Sequence, residues 1–183
     1  MHPSGAWGLA YSYSNDTEKI TFQDGNILKE PWILTSMDDD KTRTGIFKQI
    51  SLIKIGNEHI MVYGCLVGDD APYKIAVYDQ DENQQLLLGR DPSDDSASFG
   101  YITGVAETAN GYIATDGNAR ILYFWSKDGT LLGKYNAVIF SESDTPWLED
   151  MKVADNGSAM LLMTQKREDE SASELMVFRL TGF

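Results

Sequence analysis

Residues 101–135, YITGVAETANGYIATDGNARILYFWSKDGTLLGKY, restrict the chain more than any other stretch. Glycine or asparagine interrupts every window long enough to hold a helix, so short strands are expected instead. Ile102–Thr108 is apolar at Ile102, Val105 and Ala106, enough for a half-buried strand. Ala109-Asn110-Gly111 reads as a hairpin turn, because Asn and Gly tolerate positive φ. Tyr112–Thr115 is aromatic and β-branched and suits a pleated surface. Asp116-Gly117-Asn118 turns the chain again. Arg120–Trp125 is a continuous apolar run, as expected of a strand covered on both faces. Lys127-Asp128-Gly129 makes a third turn before a fourth strand, Thr130–Tyr135.

Weaker copies recur. Lys19-Ile20-Thr21-Phe22, Lys74-Ile75-Ala76-Val77-Tyr78, Arg120-Ile121-Leu122-Tyr123-Phe124 and Glu174-Leu175-Met176-Val177-Phe178 share an aliphatic–aromatic strand, with steps of 55, 46 and 54 residues. Asn110-Gly111 returns as Asn156-Gly157, and an aromatic opens successive units at Phe47, Tyr101 and Trp147. Repeats of ~40–45 residues, each holding four antiparallel strands, are the pattern of β-propeller blades. The expected fold class is therefore all-β, with three to four blades near residues 5–35, 46–88, 101–135 and 147–180. The first of these lacks its first strand and the last lacks its fourth. The expectation is thus the C-terminal part of a larger propeller of ~6–8 blades, completed by another chain or by blades upstream of Met1, with a compact four-bladed ring as the alternative.

Asp116-Gly117-Asn118-Ala119-Arg120-Ile121 resembles the NHL-type propeller repeat, whose blades carry a D-x-G-N-x-R-I-like turn and strand. The resemblance covers one blade; the other copies lack the Asn-x-Arg and are similar to a broad propeller class that includes WD40-like members. It implies a scaffold and carries no catalytic residues across.

Composition narrows the partners. The formal net charge is −13, from 28 acidic and 15 basic residues. A nucleic-acid partner is not expected, because its phosphates would be repelled. A lone cysteine, Cys65, leaves no internal disulfide and no cysteine zinc cluster; it reads as a small buried hydrophobe. No apolar run is long enough to span a membrane. No leader is visible at Met1, which fits a cytoplasmic chain or an exported one whose signal has been removed.

In a propeller, the loops between second and third strands share one face with the loops between blades. Here those are 14–17, 35–45, 68–72, 89–98, 116–118, 136–146 and 165–173, and they hold more than half of the acidic residues. One rim is expected to be anionic and to attract a basic protein partner or a small cationic ligand. The binding candidates are Asp69, Asp70, Asp116 and Asp144, with Tyr101 and Trp147 as an aromatic platform. Core packing is the competing reading of those two aromatics, and a turn brace or an ion pair with Arg120 that of Asp116. No cofactor is expected. Asp79-Gln80-Asp81-Glu82-Asn83 begins like a calcium loop, but Gln84 stands where the sharp-turn glycine belongs and Arg90 where the bidentate glutamate belongs. His2 and His59 lie outside any nucleophile or zinc motif. The expected function is a non-catalytic binding scaffold; the alternative is a carboxylate- and metal-dependent propeller hydrolase or lyase.

Overall fold

The computed structural model describes residues 7–14, 17–24, 27–28, 32–33, 47–66, 68, 70–79, 83–141, 145–154, 157–166 and 172–181, those before residue 34 by their backbone alone. The chain is all-β; its described residues form four separate sheets, none of them closed on itself, and every described strand register is antiparallel. It divides into two compact units, Met1–Gln85 and Leu86–Phe183.

In the first unit, β1 (Trp7–Ser14) and β2 (Thr17–Asp24) form a hairpin. The short strands β3 (Ile27–Leu28) and β4 (Trp32–Ile33) both pair with β2. The next sheet runs in chain order through β5 (Phe47–Ile55), β6 (Ile60–Leu66), β7 (Tyr73–Tyr78) and β8 (Gln84–Leu88). Its core holds Phe47, Ile50, Ile60, Val62, Ala76 and Tyr78, with Ile53 and Leu66 packed against them. Phe47, Ile50 and Ile53 recur every third residue, which does not suit a strand of period two. Register shifts between Phe47 and Gln49 and between Ile50 and Leu52 restore the phase, so all three face one side. Gly64 makes this possible, since a Cβ there would overlap the Gln49 carbonyl and meet Phe47 Cδ1 at 2.8 Å.

In the second unit, β9 (Ile102–Glu107), β10 (Gly111–Asp116), β11 (Ile121–Ser126) and β12 (Leu131–Asn136) form a four-stranded sheet in consecutive order. A 3-10 turn, Ala137–Phe140, follows, started by Asn136 Oδ1 accepting the Val138 N–H at 3.0 Å. Then come β13 (Trp147–Val153), β14 (Ala159–Lys166) and β15 (Ser173–Leu180), a three-stranded sheet.

These two sheets pack face to face. Ala106, Ile113, Leu122 and Phe124 from the first meet Leu148, Met151, Leu161, Met163, Met176 and Phe178 from the second. Cross-strand triplets supply the second face: Leu148, Met163 and Met176, then Met151, Leu161 and Phe178. Leu148 and Met151 are again three apart, and a bulge at Glu149 keeps both inward. The first strands of the two sheets, β9 and β13, lie against each other. Gly104 allows that approach, because a Cβ would stand 2.5 Å from Met151 N.

The opposite face of the four-stranded sheet carries Tyr112, Tyr123 and Trp125, all buried. Tyr123 and Trp125 stack at 5.7 Å, and Phe99 meets both edge-on at 5.2 and 6.1 Å. Trp125 Nε1 donates to the Gly89 carbonyl at 3.2 Å, which pins the start of the acidic loop to this face. Glu107 is buried there and pairs with Lys127 at 2.8 Å, while the ammonium sits 5.5 Å from the centre of the Tyr112 ring.

One expectation about turns needs correction. Gly111 does not take positive φ; it is needed because a Cβ would overlap the Trp125 carbonyl oxygen. The turn is instead closed by Thr108, whose Oγ1 accepts from Asn110 N and Gly111 N at 3.2 and 3.1 Å. At the next turn, Arg120 takes positive φ (58°).

Candidate functional site

The β10–β11 turn of the second unit is built around Asp116. Its side chain has no exposed surface. Oδ2 accepts the Gly100 N–H at 2.7 Å, and Oδ1 accepts those of Tyr101 at 3.0 Å and Ala119 at 2.8 Å. One carboxylate thus ties the segment entering β9 to the turn leaving β10, and three charge-assisted hydrogen bonds compensate its burial. Gly117 N–H returns a bond to the Tyr101 carbonyl at 2.9 Å. Tyr101 is therefore clamped through both its backbone groups.

Its side chain is not part of the core. Tyr101 is 52% exposed and Trp147 38%, large values for residues on so constrained a backbone. Their ring centres lie 6.4 Å apart with planes inclined by 32°. The indole rests on the turn: a Cβ on Gly117 would come within 2.9 Å of Trp147 Cζ2 and 3.0 Å of the Leu148 carbonyl. The glycine of the Asp-Gly-Asn turn thus serves close approach and not backbone conformation. Phe47, the third aromatic that opens a unit, is by contrast fully buried.

Polar groups surround the pair. Thr103 and Thr115 hydroxyls lie 3.0 Å apart beneath it. Asn118 is exposed on the turn. Across the β13–β14 ladder, Thr164 stands opposite Trp147 and its hydroxyl donates to Glu149 Oε1 at 2.9 Å, so a half-buried carboxylate is held by the residue paired with Trp147.

No protein-family model matches the chain, and neither does any curated protein. Among solved structures, the chain is similar to a protein of unknown function from Bacteroides caccae, with 12% sequence identity and a TM-score of 0.44 over 94% of this chain and 61% of that one. The chain therefore spans less than two thirds of that protein's length.

Of the residues singled out from sequence, Tyr101, Trp147 and Asp116 come together. Asp116 supports the site and does not face it: its oxygens are taken by backbone N–H groups. Asp70 is exposed in the β6–β7 loop of the other unit. Asp69 and Asp144 lie outside the described residues, as do positions 38–40, 142 and 168–170 of the expected acidic rim. In the described part of that rim, carboxylates are largely engaged with their own loops. Asp91 Oδ1 accepts from Ser93 Oγ at 2.7 Å and Ser93 N at 3.0 Å, and these bonds hold its carboxyl below its ordinary value. Asp94 does the same with Ser96. Asp79, the first residue of the calcium-like stretch, braces its hairpin through Asn83 N at 2.9 Å and Gln85 Nε2 at 2.6 Å.

Sequence reading missed Glu149, Gly117 and Thr164. Glu149 lies in an ordinary-looking amphipathic strand, and nothing in the sequence marks the bulge that falls on it. Cys65 is half-buried, its thiol 3.5 Å from the Ala71 carbonyl. Among the described residues no helix is long and apolar enough to cross a membrane.

Proposed function

We propose that this chain is a propeller-type binding scaffold whose ligand is received on the Tyr101–Trp147 platform. The architecture is supported by consecutively ordered antiparallel sheets and by two successive sheets packed face to face with their first strands adjacent. In a propeller those first strands line the centre, and the β10–β11 turn opens on the loop-bearing face.

The observation that carries the functional reading is the exposed aromatic pair on a backbone held by a buried carboxylate. Large aromatics left in water at a fixed separation, with polar groups around them, are the features of a preformed recognition surface. The site gathers no nucleophile–base pair, so binding is favoured over turnover. In the same reading the acidic loops steer a basic partner toward this face.

The test is a screen of the full chain against basic peptides and neutral oligosaccharides, repeated with Y101A and W147A. Binding that both substitutions abolish, with the circular dichroism spectrum retained, is expected. Ligands that bind both variants as well as the parent would move the site elsewhere.

A further inference from the structure

The chemistry of the platform narrows its ligand, an inference that rests on the reading just proposed. Three observations bear on charge. The two aromatic faces attract a cation through their quadrupoles, indole most strongly. Glu149 Oε1 is held by Thr164, the residue opposite Trp147 across the ladder, and among the described residues this carboxylate has no cationic partner. The formal net charge of −13 adds a long-range bias toward cations.

Shape then separates the cations. Two rings inclined by 32° at 6.4 Å offer a broad, shallow surface and not a closed cage. A planar guanidinium can lie flat on such a surface and still turn its N–H fork to a carboxylate at the edge; a compact, strongly hydrated ammonium gains less from it. We infer that the Tyr101–Trp147 platform receives an arginine side chain of a partner peptide, stacked on the two rings and paired with Glu149.

Isothermal titration of the full chain tests this with three probes: a capped peptide bearing one arginine, the same peptide with citrulline (equal in shape, uncharged), and cellohexaose. The arginine peptide is expected to bind saturably, and the citrulline peptide about tenfold more weakly. Y101A and W147A should each weaken arginine binding about tenfold, and E149Q about threefold, with a shallower loss of affinity on adding salt in E149Q than in the parent because the charge pair is already gone. Because W147A also uncovers Gly117, Y101A and E149Q serve as the folded controls. Equal affinity for arginine and citrulline, or arginine binding that survives Y101A, overturns the inference. Cellohexaose binding that Y101A removes also overturns it, yet leaves the platform itself standing. Silence with all three probes overturns both this inference and the platform.

Discussion

Asp116 shows how much one side chain settles in this fold. Replacing it with alanine leaves three N–H groups without their acceptor, and the expected cost is roughly 3 kcal/mol. Asparagine keeps one acceptor oxygen, so D116N should cost about 2 kcal/mol. Urea unfolding of the two variants checks the order, and equal losses would mean that the acceptor oxygen kept by asparagine contributes nothing to the turn. From sequence, Asp116 was recognisable as a turn residue but not as a buried one, because three acceptor roles toward the backbone leave no mark beyond Asp-Gly-Asn. Tyrosines offer a second test at this scale. Burial pushes the phenols of Tyr78 and Tyr123 up to about 12, with the Asp116 charge adding to the shift of Tyr123. Both folded values lie above the unfolded one of 10.0, so the stability they confer is whole below pH 10 and fades as pH climbs toward 12. By pH 11 each should have given up roughly 1 kcal/mol. Y123F should flatten the fall in urea midpoint between pH 8 and 11; an unchanged slope would count against burial as the cause.

At the scale of strands, glycines and bulges carry the information that pattern reading could not. The three-residue spacing of Phe47, Ile50 and Ile53 is ambiguous by periodicity, and so is that of Leu148 and Met151. Only a bulge makes either compatible with one face of a sheet, and a bulge is decided by the partner strand. The strand content of 101–135, by contrast, was legible throughout, since Thr108, Gly111 and Gly129 punctuate it at fixed places. Two glycine substitutions separate space from backbone conformation. G104A drives a Cβ toward Met151 N at 2.5 Å and toward Asp150 Oδ1 and Thr115 Oγ1 at 2.9 Å, so it should cost about 3 kcal/mol or more by forcing β9 from β13. G157A meets open space but a φ of +78°, and should cost only about 1 kcal/mol. Thermal melting of the pair gives the comparison; a milder G104A than G157A would contradict the packing of the two sheets.

For the molecule as a whole, the sequence revealed four strand groups and their order, and the 46-residue repeat step grouped Tyr101 with Trp147 as aromatics opening successive units. That the two rings meet, with the indole resting on Gly117, was not legible, because contacts between sheets obey no fixed residue spacing. The final sheet raises a question of solubility. Among the described residues β15 pairs with β14 alone, and its outward Leu175 and Val177 are 65% and 60% exposed. An apolar strand at an open edge invites pairing with another chain. L175K and V177K should therefore reduce self-association in light scattering while shifting unfolding by no more than about 0.5 kcal/mol. A large loss of stability would show instead that these side chains are covered. Trp147 belongs to one sheet yet lies on the backbone of the next, where Gly117 leaves it room. Any loosening between the two would wet the indole first, so its emission should shift to the red while every strand is still intact, giving the molecule a built-in gauge of its own early breathing.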